Sequence, residues 1–183
     1  MRYNLNWLFG EIEQGKDFDY LFFWGHKSSK NELLTSSCFS QWWISPFIAN
    51  SVKYETAEHW MMAQKAVLFK DLETYQKIIN AKTPKEAKVF GREVKNFDER
   101  IWQQKREEIV VQGSCYKFRQ NKDLKDFLIN TKNKVLVEAS PIDKIWGVGL
   151  EKDNELVKNP KTWKGLNLLG FALMEARNIL DDE

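Results

Sequence analysis

The feature that most constrains the fold of this chain is a succession of helix signals that begins near Thr56. The segment from Ala57 to Phe69 contains good helix formers and neither Gly nor Pro. The strongest single signal is Thr83-Pro84-Lys85-Glu86, which has the pattern of a capping box with proline at the first helical position. These signals predict that the second half of the chain is mostly helical.

Capping residues and apolar spacing predict the other helices. The expected elements are a helix from Asp71 to about Ala81, a long helix from Asn96 or Asp98 to about Lys117, a short helix whose inner face is Leu124, Phe127 and Leu128, and a last helix from about Asn167 to Leu180.

The first half of the chain is aromatic and β-like. Residues 20–24 (Tyr-Leu-Phe-Phe-Trp) predict a buried strand that ends at Gly25, and residues 26–37 predict a polar loop. Residues 39–47 are compatible with a strand or with an aromatic loop, and Pro46 argues against a central strand.

Farther along, residues 135–138 predict a short strand. Residues 140–150 predict a loop because they include Pro141, Gly147 and Gly149. Together with the helices, these segments predict an α+β fold, a helix-dominated single domain with a small β component over residues 1–183.

Composition and charge exclude several classes of protein. The net charge is +2 and no basic arm is present, so a general nucleic-acid binder is not expected, although recognition of a single nucleotide stays open. Cys38 and Cys115 suggest no disulfide framework, and two His with two Cys at wide spacing predict no metal site and no cofactor. Without a signal-peptide pattern or a membrane-length apolar run, we expect a cytoplasmic protein with no membrane partner.

Four segments, taken in order, resemble the NADAR (YbiA-like) family. They are residues 54–66, 91–97, 136–149 and 163–170, and Phe22-Phe23-Trp24-Gly25-His26 matches the family's usual opening. The resemblance covers roughly residues 20–180. One segment departs from it, because Phe39-Ser40-Gln41-Trp42-Trp43 stands where the family usually has Leu-Ser-Asn-Phe-like residues.

The resemblance implies a YbiA-like fold and a glycosidase that hydrolyses N-glycosyl compounds. Family members with known activity remove a base from ribose 5-phosphate in early riboflavin intermediates, or remove ADP-ribose from guanine in nucleic acid. The absence of a basic extension favours the small-molecule ribosyl phosphate as substrate, with ADP-ribosylated DNA or RNA as the alternative. A third alternative is a non-catalytic module that binds ADP-ribose or a related nucleotide; the presence of both Glu58 and Lys65 favours an enzyme.

Glu58 and Lys65 are the principal catalytic candidates. They are seven residues apart in a predicted helix, so both side chains project from one face. The resemblance implies that Glu58 stabilises the cationic transition state or activates water, whereas its alternative role is to complement the helix dipole. It also implies that Lys65 attacks C1 and forms a Schiff base, although from the residues alone Lys65 is an ordinary surface lysine. A nearby Glu58 carboxylate is expected to oppose the lowered lysine pKa that this attack needs.

The resemblance also implies several supporting residues, each with a structural alternative. Asp143 is a third catalytic candidate, which either bonds the ribose hydroxyls or departing base or belongs to a turn. The other predicted residues bind substrate. Trp102 and Trp146 either stack on a base or lie in the core, and Gly147 either lets the backbone approach a ligand or forms a turn. Arg92 either binds phosphate or is solvated, Asn167 either contacts the ligand or caps the last helix, and Glu138 either points into the site or ends its strand. His59 is expected to have a structural role.

Overall fold

The computed structural model describes residues 1–26 and 34–183, and helices predominate among them. In chain order the helices and strands are α1 (Leu5–Glu13), β1 (Tyr20–Phe23), β2 (Phe47–Ala49), β3 (Val52–Tyr54), α2 (Ala57–Leu68), α3 (Leu72–Ile79), α4 (Pro84–Arg92), α5 (Glu99–Gln120), α6 (Lys122–Ile129), β4 (Val135–Glu138) and α7 (Leu168–Asp181). Short 3-10 helices cover Ser36–Phe39, Glu155–Lys158 and Pro160–Thr162. The predicted α+β, helix-dominated fold is confirmed.

These elements form two units. One unit consists of Met1–Ser40 and Asp123–Glu183, and the other of Gln41–Lys122. The single domain predicted over residues 1–183 stays a prediction. Part of the predicted polar loop at residues 26–37, namely residues 27–33, lies outside the described residues.

In the Gln41–Lys122 unit, α2 packs against α3, α4 and α5. The predicted caps begin these helices: Asp71 accepts a hydrogen bond from the Thr74 amide at 3.1 Å, and Thr83 accepts one from the Glu86 amide at 3.2 Å. The second half of the capping box is shifted, because Glu86 accepts from Lys82 rather than from Thr83. Asp98, and not Asn96, caps α5.

A β-hairpin precedes α2. Its strands β2 and β3 pair antiparallel, with Phe47 opposite Tyr54. The turn residues Asn50 and Ser51 both have positive φ, at 50° and 63°, which is the backbone that a two-residue hairpin with right-handed twist needs. Of residues 39–47, which were compatible with a strand or a loop, only Phe47 belongs to a strand.

In the other unit, β1 pairs parallel to β4, and α7 packs on β4. Strand β4 supplies the core of this sheet, because Val135, Leu136 and Val137 are all fully buried. The strand predicted at residues 20–24 is confirmed over Tyr20–Phe23, but its predicted burial was wrong for most of its length: only Phe23 is buried, and Trp24 is 55% exposed. The reason is that α7 covers β4, whereas β1 packs against β4 and the short 3-10 helix Ser36–Phe39.

Helix α1 was not predicted. Its Asn4 cap accepts a hydrogen bond from the Trp7 amide at 2.8 Å, and Leu8 is buried on its inner face. Gly10 and the aromatic residues around it lower the helix propensity of this segment, which explains why the pattern was missed. Among the described helices, none combines the length and the apolar character required to cross a membrane.

Candidate active site

The predicted site residues divide between the two units. Glu58, Lys65, Arg92 and Trp102 belong to the Gln41–Lys122 unit, and Glu138, Asp143, Trp146, Gly147 and Asn167 belong to the other.

Helix α2 carries both Glu58 and Lys65. Glu58 lies in its first turn, as predicted, and is only 2% exposed; its amide donates to the Gln41 carbonyl at 3.0 Å. Seven residues at about 100° each amount to roughly 700°, nearly two full turns, with a rise of about 10 Å along the axis. The two side chains therefore leave the helix on the same side.

The Lys65 amine is enclosed by backbone and aromatic groups. Its Nζ donates a hydrogen bond to the Gly91 carbonyl at 2.8 Å. The same nitrogen lies 4.1 Å from the centroid of the Phe97 ring and 5.7 Å from that of Trp102. This lysine is consequently half-buried and held in place, unlike the freely solvated surface lysine that was its alternative.

Gly91 makes this arrangement sterically possible. A Cβ atom at Gly91 would lie 2.0 Å from the Met62 sulfur, so any larger residue there would force the Met62 side chain or α4 to move. Met62 and Lys65 are three residues apart and therefore share a face of α2. The close approach brings the Gly91 carbonyl within reach of the Lys65 amine.

The surroundings lower the pKa of Lys65 below its ordinary value. Burial is the main cause, because it disfavours the charged amine. The Glu99 carboxylate, in the first turn of α5, opposes this shift, and the Arg92 guanidinium adds to it. The carboxylate expected to oppose the shift was Glu58; the residue that raises the pKa in the structure is Glu99.

Arg92 and Trp102 occupy different environments around this amine. Arg92 is the last residue of α4 and is exposed, so its guanidinium is accessible to a phosphate group. Trp102 is only 8% exposed on α5 and lies mainly in the core, which is the alternative that its helical position suggested. Its stacking on a substrate stays a prediction.

His59 is structural in this arrangement, as expected. Its Nε2 lies 3.1 Å from the Ala81 carbonyl, which only accepts hydrogen bonds, so Nε2 donates. Its Nδ1 lies 2.7 Å from the Thr56 hydroxyl. Burial lowers the pKa of His59, which favours the neutral ring, and the hydroxyl then donates to Nδ1.

In the other unit, Asn167 ties α7 to strand β4. Its Oδ1 accepts from the Glu138 amide at 3.0 Å, and its Nδ2 donates to the Leu136 carbonyl at 2.9 Å. Asn167 stands at the N-cap position of α7, which was one of its two alternatives, but its backbone is left-handed, with φ of 54°, and its side chain makes no capping bond. The side chain is directed to the strand instead and is fully buried.

Asp143 organises the loop that follows β4. One carboxylate oxygen, Oδ1, accepts from the amides of Ile145 and Trp146, each at 2.8 Å. These bonds are those of a turn-forming aspartate, so this oxygen has the turn role that was the alternative to catalysis. Catalysis by Asp143 stays a prediction.

The remaining residues of this set surround the same loop. A Cβ at Gly147 would lie 2.8 Å from the Glu138 carbonyl oxygen, so Gly147 permits close packing of the loop on the end of β4. The Gly147 carbonyl accepts from the Asn167 amide at 3.2 Å. Trp146 is half-buried beside it. Glu138, Asp143, Trp146, Gly147 and Asn167 thus form one hydrogen-bonded and packed group.

Two residues around Lys65 were missed by the sequence reasoning, namely Phe97 and Glu99. Phe97 closes one of the motifs that carry the family resemblance, so a signal was present, but no role was assigned to it. Glu99 had no signal beyond its place in a first helical turn. Among the described residues, no group of three or more His, Cys, Asp or Glu side chains is arranged to hold a metal ion.

The comparisons place these residues in a known class of protein. The NADAR domain family matches residues 22–181, and the chain belongs to that family. An N-glycosidase of Acanthamoeba polyphaga mimivirus is 40% identical over 163 residues, which cover 86% of this chain and 94% of the relative. The NMR structure of the Escherichia coli protein YbiA is similar with a TM-score of 0.72 at 25% identity, over 91% of this chain and 88% of YbiA.

A further relative has a more specific name. The maize chloroplastic riboflavin biosynthesis protein PYRR is 33% identical over 132 residues. These cover 68% of this chain but only 19% of the maize protein. The similarity is therefore to one part of a much longer chain.

Proposed function

We propose that this chain is an N-glycosidase that cleaves the bond between C1 and nitrogen in a phosphorylated ribosyl base. The observation that carries the proposal is the enclosed amine of Lys65, bonded to Gly91 and covered by Phe97, with its pKa lowered by burial. A lysine with a depressed pKa keeps a larger fraction of neutral amine, and the neutral amine is the nucleophile.

Cleavage begins when the neutral Lys65 amine donates its electron pair to C1 of the ribose. The C1–N bond breaks, and the departing base keeps the electron pair of that bond and takes up one proton from the amine. The ring oxygen then leaves C1 and takes up the second amine proton, which gives a ring-opened sugar joined to Lys65 as an imine. Water adds to the imine carbon and releases ribose 5-phosphate, which restores the amine.

Glu58 supplies the negative charge in this scheme. Positive charge develops on the sugar as the base departs, and a carboxylate held on the same side of α2 as Lys65 stabilises it. The first turn of a helix favours the ionised form of such a carboxylate. Glu58 is therefore proposed to act mainly in the transition state.

The other predicted residues have supporting roles. Arg92 is proposed to bind the phosphate, because its guanidinium is exposed and influences the Lys65 amine. Asp143 is proposed to bond the ribose hydroxyls or the departing base. Glu138, Trp102, Trp146, Gly147 and Asn167 are proposed to shape the substrate-binding surface, either through direct contact or by holding the backbone that makes it.

The proposed substrate is a ribosylamino-pyrimidine phosphate of the riboflavin pathway. The similarity to part of the maize riboflavin biosynthesis protein supports this class. The names of the viral relative and of YbiA, which is also named an N-glycosidase, support the reaction type.

Product analysis tests the proposal. The pure chain is incubated with ribosylamino-pyrimidine phosphates, and the products are identified by mass spectrometry beside a control with the Lys65→Arg variant. We expect free pyrimidine base and ribose 5-phosphate with the natural chain only. If the chain cleaves neither the ribosylamino-pyrimidine phosphates nor ADP-ribosylated guanine DNA, the result would contradict the proposed activity and favour a binding module.

A further inference from the structure

A cleft of about 780 Å³ opens in the unit that contains both chain termini, and it is called here the amino-terminal cleft. It is lined by α1, by residues 16–19, by the turn at residues 130–134 and by α7. Helix α1 precedes the segment that matches the NADAR family, which begins at residue 22. The cleft uses none of the residues proposed for cleavage of the glycosidic bond.

A buried arginine forms one wall of the amino-terminal cleft. Arg177 is only 5% exposed, and its Nη1 donates to the Thr131 hydroxyl at 2.7 Å and to the Lys134 carbonyl at 2.9 Å. Among the described residues, none of the carboxylates forms an ion pair with this guanidinium. Burial lowers the pKa of Arg177, and the Asp181 carboxylate only partly opposes this shift. An anion bound beside the guanidinium would offset the remaining cost of burying its charge.

Additional cations surround Arg177. Lys132 and Lys134 belong to the turn that Arg177 holds, and both are exposed. Of the described lining residues, five are cationic and three are carboxylates, and one pair of them, Lys16 and Glu11, is already joined at 2.5 Å. Four cations and two carboxylates therefore remain, an excess that favours an anionic ligand.

Aromatic rings form another part of the cleft lining. The centroids of Tyr3 and Trp7 lie 4.7 Å apart, and those of Trp7 and Phe18 lie 5.5 Å apart, in edge-to-face geometry. The Tyr3 hydroxyl is held by the Asn178 amide at 2.6 Å. Trp7 is only half-buried, so part of its indole is accessible to a flat ring.

We infer that the amino-terminal cleft binds a nucleotide, with its phosphate at Arg177, Lys132 and Lys134 and its base against Trp7. A phosphate satisfies the guanidinium and both amines through charge-assisted hydrogen bonds. Stacking on an indole recognises the base through its flat face and tolerates different bases. The juxtaposition of both kinds of group in one cleft selects a nucleotide over a simple anion.

Calorimetric titration of the full chain with AMP, adenosine and inorganic phosphate tests this assignment. AMP is expected to bind more tightly than either fragment, because only AMP engages both parts of the cleft. Joint substitution of Lys132→Gln and Lys134→Gln is expected to weaken AMP binding about tenfold or more, the effect of losing a charge-assisted contact. Trp7→Ala is expected to weaken AMP and adenosine but not inorganic phosphate.

The controls separate this cleft from the proposed catalytic site. Lys152→Gln removes an exposed lysine elsewhere in the same unit, and Lys65→Gln removes the proposed nucleophile; neither is expected to change AMP binding. Arg177→Gln is expected to abolish AMP binding, and thermal unfolding checks that this variant still folds. The double Lys132→Gln and Lys134→Gln variant changes exposed residues only, so it tests the site even if Arg177→Gln unfolds. No detectable AMP binding, equal binding by the lysine-pair variant, or loss of binding in Lys65→Gln would overturn the inference.

Discussion

The reactivity of Lys65 depends on three neighbouring groups that act in different ways. The Gly91 carbonyl fixes the position of the amine, the Phe97 ring covers it, and the charges of Glu99 and Arg92 shift its pKa in opposite directions. A nucleophilic amine must be neutral, so the pH dependence of turnover should report directly on these groups.

Substituting the two charged neighbours should move the acid limb of the pH profile in opposite directions. Glu99→Gln removes the carboxylate that raises the pKa of Lys65, so the rise of kcat/KM with pH should shift to lower pH. Arg92→Gln removes the cation that lowers this pKa, so the same rise should shift to higher pH. The profile of kcat/KM between pH 5 and pH 10, measured for both variants, checks this; shifts in one common direction would contradict it.

Glu58→Gln should lower kcat more than it raises KM. The carboxylate is proposed to act when positive charge develops on the sugar, so its loss weakens the transition state more than the bound substrate. A decrease in kcat of about 10²-fold is expected for the loss of one such electrostatic group. Glu93→Gln, which changes an exposed glutamate of the same unit, is the matched control. Equal kcat values for both variants would remove Glu58 from the mechanism.

At the scale of elements, the contact between α7 and β4 depends on a glycine. A Cβ at Gly170 would lie 2.1 Å from the Leu136 carbonyl oxygen, which is backbone and has little freedom to move. Gly170→Ala should therefore lower the free energy of unfolding by at least about 2 kcal/mol, as overpacking does in cores.

Gly10→Ala is the matched control for this prediction. Gly10 is also helical, but a Cβ there would meet nothing within 4 Å. Because alanine has the higher helix propensity, this variant should gain about 0.5–1 kcal/mol. Urea unfolding of both variants measures the two effects. A Gly170→Ala variant as stable as the natural chain would mean that α7 does not lie this close to β4.

The elements that were predictable from sequence are those with local signals. The caps Asp71, Thr83 and Asp98 are side chains that bond amides two or three residues away, so short sequence patterns reveal them. The hairpin turn at Asn50 and Ser51 was missed because it lacks the glycine typical of two-residue turns. The burial of β1 was mispredicted because burial depends on which element covers a strand, and α7 covers β4 rather than β1.

The same distinction holds for the candidate site. The helical spacing of Glu58 and Lys65 followed from the sequence, and so did the first-turn position of Glu58. The enclosure of Lys65 did not, because Gly91 and Phe97 come from segments more than 25 residues away in the chain. The side-chain bonds of Asn167 to β4 also span 29 and 31 residues, so neither of its two predicted roles, helix cap or ligand contact, included them.

For the whole molecule, charge bears on the class of substrate. The net charge is only +2, which gives little general attraction to a polyanion. We therefore expect kcat/KM for a ribosylamino-pyrimidine phosphate to exceed that for ADP-ribosyl-guanine in DNA. Steady-state rates on both substrates at the same ionic strength check this ranking. A higher kcat/KM on the DNA would reverse it and assign the activity to ADP-ribose removal.

The central claim is that the Lys65 amine becomes covalently joined to the sugar, and chemical trapping of the imine tests it most directly. Borohydride added during turnover should reduce the imine to a stable secondary amine, and mass spectrometry of the digested chain should place a ribose-phosphate adduct on Lys65. The Lys65→Arg variant keeps the positive charge but cannot form the imine, so it should give no adduct and no turnover. A natural chain without any adduct, together with near-normal kcat for Lys65→Arg, would contradict the account and favour direct attack by water.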